Sequence, residues 1–478
     1  MLFTGPFNTS ASRNRHNAAA RQKGLVINME YDNLILGFGK GGKTLAVALA
    51  ERGQTVALVE KSRAMYGGTC INVGCIPSKS LVNSAAEAAL HAEEAFDKKA
   101  ARYAGAIAEK RRVTAMLRAK NYAKLHDAKG VTVYDGLGRF CSPNEVEVLL
   151  VDGGAERLQA KNIYINTGSE PIPLNLPGAQ GNPRLYSSET LMEEDRLPKK
   201  LVLIGAGYIG MEFASLYTNF GSQVTILQDG EAFLPREDND VANEIHAILQ
   251  RRGVRFLLGA KTLRFERGRV VYTRQGKEEA LEADAILIAT GRRPNTAQLR
   301  AELAGVELTP RGAVQVDEHL RSTAPNIWSL GDVNGGPQFT FTSLDDYRIL
   351  LSQLSGGGYS LASRVNVPYS VFMDTPLGRV GLTEKQALEQ NIPIRVLKLP
   401  TASIPKAQVL RKTDGFLKAI VHAESGKILG AALLCPEAYE LINTLKLAMD
   451  MGADAARMRD MIYTHPTMTE AFNELFAM

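Results

Sequence analysis

Cysteine is scarce in this chain, with four in 478 residues. That is too few for a disulfide-stapled secreted fold and points to a reducing compartment, the cytoplasm. No uninterrupted apolar run reaches 18 residues, so no membrane span is expected. No pair of CxxC motifs is present to make a tetrahedral zinc site, and no metal ligand set is assigned. Excess charge is also lacking. The net +5 comes largely from Arg13, Arg15, Arg21 and Lys23, all ahead of the first acid, Glu30. From Glu30 onward bases and acids nearly balance, and neither an RNA-binding nor a helix-turn-helix signature appears, so a nucleic-acid partner is not expected.

What is present is the composition of a soluble α/β protein: 45% hydrophobic residues, 22% charged residues and 43 glycines. At roughly 100 to 200 residues per domain the length predicts about three domains. The first 29 residues, rich in Asn, Ala, Ser and Arg, lack the apolar core of a secretory signal and read as a flexible leader, with Met29 a candidate natural start.

The apolar run YDNLIL at 31–36 is followed by Gly37, Gly39 and Gly42 at GxGxxG spacing, then by a helical stretch, KTLAVALAERG, and a second strand, TVALV, ending in Glu60. Glycines at these places let a pyrophosphate approach the backbone at a helix N-terminus, and an acid at the next strand's end accepts ribose hydroxyls. The same device returns at LVLI, Gly205, Gly207 and Gly210, with Gln228 standing where Glu60 stands in the first unit. Two dinucleotide sites in one chain imply electron transfer between two dinucleotides.

Residues 78–127, rich in Ala, Glu, Lys and Arg, read as long solvent-facing helices. The strands VTVYDGLGRF, EVEVLLV and NIYINTG follow. Later, DAILIATGRRPN and NIWSLGD end strands in Gly-rich turns, so the first domain is expected to resume near residue 285. The division is therefore 1–29 leader, 30–167 and 285–361 first dinucleotide domain, 168–284 second dinucleotide domain, and 362–478 a third domain without nucleotide motifs.

GGTCINVGCIPSK at 67–79 sets Cys70 and Cys75 with four residues between them, close enough on a helical turn to reach disulfide geometry. Cys141 and Cys435 are isolated and read as small buried hydrophobes, with an interface role open for Cys435.

This segment resembles the active-site stretch of the class I pyridine nucleotide-disulfide oxidoreductases, which include dihydrolipoamide dehydrogenase, glutathione reductase and mercuric reductase. The resemblance runs from residue 30 to near the end through both glycine fingerprints, ATGRRPN at 289–295, SLGD ending at Asp332, and HPTMTE at 465–470. It implies an α/β chain with two Rossmann-type domains, for FAD and NAD(P), plus a C-terminal α+β dimerisation domain and a homodimer. FAD is expected on the first unit, with Glu60 on the adenosine ribose, Lys79 beside the flavin, Gly138 near the adenine, and Asp332 and Thr340 near the ribityl chain and flavin. Thr69, Thr167 and Gly168 join these contacts. NAD(P)H is expected on the second unit, contacted by Gly205, Gly207, Ile209, Gly210, Gln228 and Gly291. Tyr208 matches a residue that shields the flavin until nicotinamide enters, and Glu212 one that pairs with Lys79.

In that family hydride passes from nicotinamide to flavin, which reduces the disulfide. The resemblance makes Cys75 the flavin-facing thiolate and Cys70 the thiol that attacks substrate. His465 and Glu470 resemble the acid/base pair, the histidine serving the partner subunit's site, and His465-Pro466 is a candidate cis peptide. Departures narrow the substrate. The C-terminus FNELFAM carries no cysteine pair, and no N-terminal CxxC domain precedes the body, which disfavours typical mercuric reductase. Asp229 and Glu231 in QDGEAFLPRED would repel a 2′-phosphate, so NADH is favoured, while Arg236 keeps NADPH open.

GFGKGGKTLAVALA, AMYGGTCINVGCIPSK, FLPRED, SLDDYRI and NVPYSVFM resemble the bacterial reactive-chlorine-resistance flavoproteins in particular. That resemblance implies reduction of a small oxidant such as hypothiocyanous acid, with copper(II) as another acceptor attributed to the branch. Two readings stay beside it: a dihydrolipoamide dehydrogenase, and a non-enzymatic FAD-binding redox sensor.

Overall fold

The computed structural model describes residues 28–478. The leader expected over residues 1–29 lies outside these, except that Asn28 and Met29 already belong to the first strand, Asn28–Leu36. The chain divides into two compact units. One holds the residues up to Cys75 with Val113–Glu170 and Arg292–Ser363, and the other Ile76–Arg112, Pro171–Gly291 and Arg364–Met478.

The first unit is built on a sheet in which Val131–Ser142, Val56–Glu60, Asn28–Leu36, Ala155–Ile165 and Ile327–Ser329 run parallel in that order. Glu145–Leu150 pairs antiparallel with both Val131–Ser142 and Ala155–Ile165. Every residue of Val56–Glu60 is buried, as expected for a parallel strand covered on both faces. Side chains alternate between those faces. Leu34, Leu36, Ala57 and Val59 pack with Phe140, Val146 and Ile163 on one side. Ile35, Val56 and Leu58 pack on the other against Leu45, Ala46 and Leu49 of the helix Lys40–Glu51, and against Leu125.

The second unit contains a five-stranded parallel sheet in the order Arg255–Leu258, Gln223–Gln228, Lys200–Ile204, Ala285–Ile288, Leu185–Ser187. The helix Tyr208–Phe220 lies on it with nine buried residues and ends at Gly221, whose φ of 101° supplies a left-handed cap. A three-stranded antiparallel meander spans Lys261–Glu282. The same unit holds a five-stranded antiparallel sheet in the order Tyr369–Val371, Leu377–Gly381, Ile428–Leu434, Phe416–His422, Ile394–Pro400, packed on the helix Ala438–Asp450. This α/β architecture matches the expected fold class.

Residues 78–127 are helical, as Cys75–Ala89 and Phe96–His126, but not uniformly solvent-facing. Leu81, Tyr103 and Ile107 enter the core beside Leu201, Leu203 and Tyr217. Lys110 is fully buried and ion-paired to Glu193, and the Tyr103 and Tyr217 hydroxyls bond at 2.9 Å. Charged composition concealed this apolar stripe. Cys435 is buried in the core of the C-terminal sheet, as read from the sequence, whereas Cys141 is only half-buried. Among the described residues no helix is long and apolar enough to cross a membrane.

Candidate active site

In the first unit Gly37 ends the first strand with φ 106°, and a Cβ there would stand 2.2 Å from the Asn166 carbonyl oxygen. Only glycine fits this turn. Asn166, which the sequence pattern did not flag, accepts from Gly42 N–H at 3.0 Å and donates to Leu330 O at 2.7 Å, pinning the turn from beneath. Gly39 caps the helix with no side-chain cap bond. Glu60 is buried at the next strand's end and accepts from Phe38 N–H at 3.0 Å and Ser62 N–H at 3.2 Å. Burial pushes its carboxyl up to about 7, against the pull of those amides.

Gly138 lies in Val131–Ser142, where a Cβ would meet Leu36 Cδ2 at 2.6 Å. Thr167 and Gly168 follow Ala155–Ile165; Thr167 Oγ1 donates to Asn295 O at 2.8 Å, and Gly168 O accepts from Asn295 N–H at 2.9 Å. Asp332 is held by the Ser169 hydroxyl at 2.7 Å, Ser169 in turn receiving Arg292 Nε at 3.0 Å. Burial raises Asp332, while Ser169 and Arg292 oppose it. A glycine turn of this shape, with a carboxyl buried at the next strand's end, fits a dinucleotide.

Cys70 sits in the short helix that Thr69 opens, and Cys75 begins the next. Cys70 is raised first by its hydrogen bond to Cys75, then by burial and by charge on Cys75, while Thr340 and Lys43 pull it down. Cys75 Sγ lies 3.5 Å from Thr340 Oγ1. Burial and the neighbouring thiol thus both disfavour the Cys70 thiolate. Asn72, missed from sequence, is buried and donates to the Tyr66 and Gly68 carbonyls at 3.0 and 2.9 Å, bracing the turn.

The second unit repeats the cradle. Gly205 has φ 107°, and a Cβ would lie 2.5 Å from Ala289 O. Gln228 Oε1 accepts from Ala206 N–H at 2.8 Å, the bond that Glu60 makes to Phe38. Gly207, Tyr208, Ile209 and Gly210 form the helix start, and Gly291 accepts from Ile172 N–H at 3.0 Å. Lys79 Nζ donates to both oxygens of Glu212, at 2.9 and 2.7 Å, and lies 4.6 Å from the Phe372 ring centre. Phe372 N–H also donates to Glu212 Oε1, at 2.9 Å. The Tyr208 and Tyr369 hydroxyls each donate to Glu237 Oε1 at 2.6 Å, and both are raised, chiefly by burial, Tyr369 to about 12. Glu237 and Arg379 are buried, with Nε and Oε2 3.1 Å apart. No spacing rule links residues 208, 237, 369 and 379, which only the fold gathers.

Near the C-terminus, His465 Nδ1 bonds Glu470 Oε2 at 2.8 Å, and Glu470 Oε1 accepts from Thr467 N–H at 3.1 Å. The His465-Pro466 peptide is cis. The imidazole is 69% exposed, which leaves it open to another molecule's site. Among the described residues no group of three or more His, Cys, Asp or Glu is placed to hold a metal ion.

One cradle beside a thiol pair and a second of the same construction define a flavin- and pyridine-nucleotide-dependent disulfide reductase. The chain belongs to the pyridine nucleotide-disulphide oxidoreductases, whose family profile matches residues 31–346 and whose dimerisation domain matches residues 367–476. It is accordingly an oxidoreductase acting on sulfur groups, and the family uses FAD and NAD(P)H. It is 46% identical over 94% of its length to the probable pyridine nucleotide-disulfide oxidoreductase RclA of Escherichia coli, of which it covers 99%. A dihydrolipoyl dehydrogenase of Geobacillus stearothermophilus is 35% identical over 92% of the chain and 94% of its own length. The solved Cu(II) complex of the HOCl-induced flavoprotein disulfide reductase RclA from E. coli superposes with a TM-score of 0.88 at 45% identity, covering 94% of this chain and 99% of that one.

Proposed function

We propose that this chain is a homodimeric NAD(P)H-dependent flavoprotein whose Cys70 and Cys75 reduce a small oxidant, hypothiocyanous acid foremost. The observation that carries this reading is the thiol pair itself, Cys70 and Cys75 on successive helices with Cys75 Sγ 3.5 Å from Thr340 Oγ1.

FAD would be held by the Gly37–Gly42 turn, Glu60, Thr69, Lys79, Gly138, Thr167, Gly168, Asp332 and Thr340, and NAD(P)H by the second turn with Tyr208, Ile209, Glu212, Gln228 and Gly291. When bound, FAD takes a hydride equivalent from NAD(P)H and returns two electrons to the Cys70–Cys75 disulfide. Lys79 is positioned by Glu212, and Tyr208 by Glu237.

The thiol chemistry belongs to the chain's own side chains. Cys70 as thiolate attacks the oxidant's sulfur, an S–S bond forms, and the S–O bond breaks. His465 of the partner subunit, oriented by Glu470, moves protons so that oxygen leaves as water. Cys75 then attacks Cys70 Sγ and displaces thiocyanate. Two thiols have lost two electrons and two protons, and the disulfide is restored.

NADH is the favoured reductant because Asp229 and Glu231 follow Gln228 where a 2′-phosphate would need cations. Two other acceptors belong in the same comparison: lipoamide, because a dihydrolipoyl dehydrogenase of Geobacillus is similar, and copper(II), because the similar E. coli structure is a Cu(II) complex. Anaerobic NADH oxidation by the FAD-loaded protein, with hypothiocyanous acid, lipoamide, glutathione disulfide and copper(II) compared side by side, tests the assignment. The reading requires hypothiocyanous acid to turn over fastest, and preference for lipoamide would replace it with the dihydrolipoamide reading.

A further inference from the structure

In the second unit Tyr208 opens the helix Tyr208–Phe220, Glu237 lies in the loop before Asn239–Arg251, and Tyr369 and Arg379 stand on the paired strands Tyr369–Val371 and Leu377–Gly381. Glu237 and Arg379 are each only 3% exposed, whereas the two tyrosines are half-buried. A single carboxylate oxygen, Glu237 Oε1, accepts from both hydroxyls at 2.6 Å, and the hydroxyls are 3.2 Å apart. The other oxygen faces Arg379, which is itself tied to Ala431 O through Nη1 at 2.7 Å.

Glu237 is the fixed side of this cluster. Its amide donates to Leu234 O at 2.9 Å, and Leu234 holds a φ of 45°. The next residue, Asp238, is buried, accepts from the Glu384 and Lys385 amides at 3.0 and 3.1 Å, and pairs with the fully buried Lys418 at 3.1 Å. Asp240 adds a second contact to Lys418, at 2.9 Å. Tyr208 is the movable side: it is half-buried, and its ring meets that of Tyr369 at a tilt, with centres 5.5 Å apart.

We propose that Glu237 and Tyr369 are positioning residues that latch the Tyr208 ring shut and set the concentration of NAD(P)H needed to open it. This rests on the reading of Tyr208 as the ring that nicotinamide displaces. Opening breaks the Tyr208 hydrogen bond to a charged acceptor, while Tyr369 stays on the same oxygen and keeps the buried carboxylate supplied with a donor. Without Tyr369, the same swing strips Glu237 Oε1 of both hydroxyls. The two hydroxyls therefore act in opposite senses: that of Tyr208 holds the ring closed, and that of Tyr369 eases its release. Where the closed form dominates, the apparent affinity for the nucleotide is the intrinsic affinity reduced by the open fraction.

Stopped-flow reduction of the FAD-loaded protein by NADH, with no acceptor present, tests the latch. Tyr208→Phe should lower the NADH concentration that gives half the maximal flavin-reduction rate about tenfold, and Tyr369→Phe should raise it about tenfold, roughly the worth of one hydrogen bond to a charged group. The limiting rate at saturating NADH should stay within about twofold in both. Both variants keep the Glu237–Arg379 pair, so they decide the matter even where Glu237→Gln fails to fold. In a merely structural role the two deletions loosen one cluster and act alike, so shifts in the same direction, or no shift in either, overturn the proposal. Tyr208→Ala shows which reading has failed: an unmoved half-saturation there removes the shielding role of Tyr208 and the latch with it, while a shift there beside two unmoved Phe variants removes the latch alone. No oxidant enters this half-reaction, so slow turnover with hypothiocyanous acid beside opposite shifts upholds the latch and removes only the oxidant.

Discussion

The Tyr208 hydroxyl donates to Glu237 at 2.6 Å, joining the residue expected to screen the flavin to a carboxylate that the fold buries against Arg379. Glu237 takes a second hydrogen bond from Tyr369, and the two hydroxyls are 3.2 Å apart. Glu237→Gln leaves Arg379 charged and buried without a counter-ion, so it should cost about 3 kcal/mol or more of stability. Tyr369→Phe removes one hydrogen bond and should cost about 1 kcal/mol. Urea unfolding of the two variants checks the order, and equal costs would show that the Arg379 charge is compensated elsewhere.

The roles proposed for Cys70 and Cys75 make the two serine variants differ. Cys70→Ser should retain Cys75 as a thiolate beside oxidised flavin and show a long-wavelength absorption band, and Cys75→Ser should not. A spectrum lacking the band in both variants would reverse or remove the role assignment.

His465 bonds Glu470 and takes no part in either dinucleotide cradle. His465→Ala should leave flavin reduction by NADH within about twofold and slow the thiol half-reaction 10²- to 10⁴-fold, the usual range for loss of a general acid or base. Stopped-flow traces of the two half-reactions separate these outcomes, and an equally slowed flavin step would place His465 elsewhere in the mechanism.

Glu60 gives a pH signature in FAD-free protein. Its folded value is about 7, above the ordinary 4.5, so between these pH values the unfolded chain has lost a proton that the fold keeps. Its contribution to stability therefore falls as pH rises from 4.5 to 7, on the order of 3 kcal/mol in total, and is level beyond. Glu60→Gln should remove that slope, leaving the variant relatively more stable at pH 8 than at pH 5. Urea midpoints across this range decide, and parallel curves would mean that Glu60 ionises normally.

Both nucleotide turns were legible because their chemistry is local. Gly37 and Gly205 occupy backbone conformations that other residues avoid, and Glu60 and Gln228 follow at a fixed distance along one βαβ unit. The nearness of Cys70 and Cys75 was legible from their spacing, whereas the His465–Glu470 pair was reached through the family resemblance of HPTMTE. Asn166, Glu237, Tyr369 and Arg379 were not, since each matters through a partner far along the chain. The helices over 78–127 misled on exposure because Lys110 and Tyr103 look solvent-facing by composition and are buried by tertiary contacts.

The central claim is that Cys70 delivers electrons from NADH to a small oxidant. Steady-state NADH oxidation with hypothiocyanous acid, in the FAD-loaded protein and in Cys70→Ser, tests it most directly. The account predicts rapid turnover that drops by at least about 10³-fold in the variant. Turnover that survives the substitution, or that is slower than with lipoamide, would contradict it.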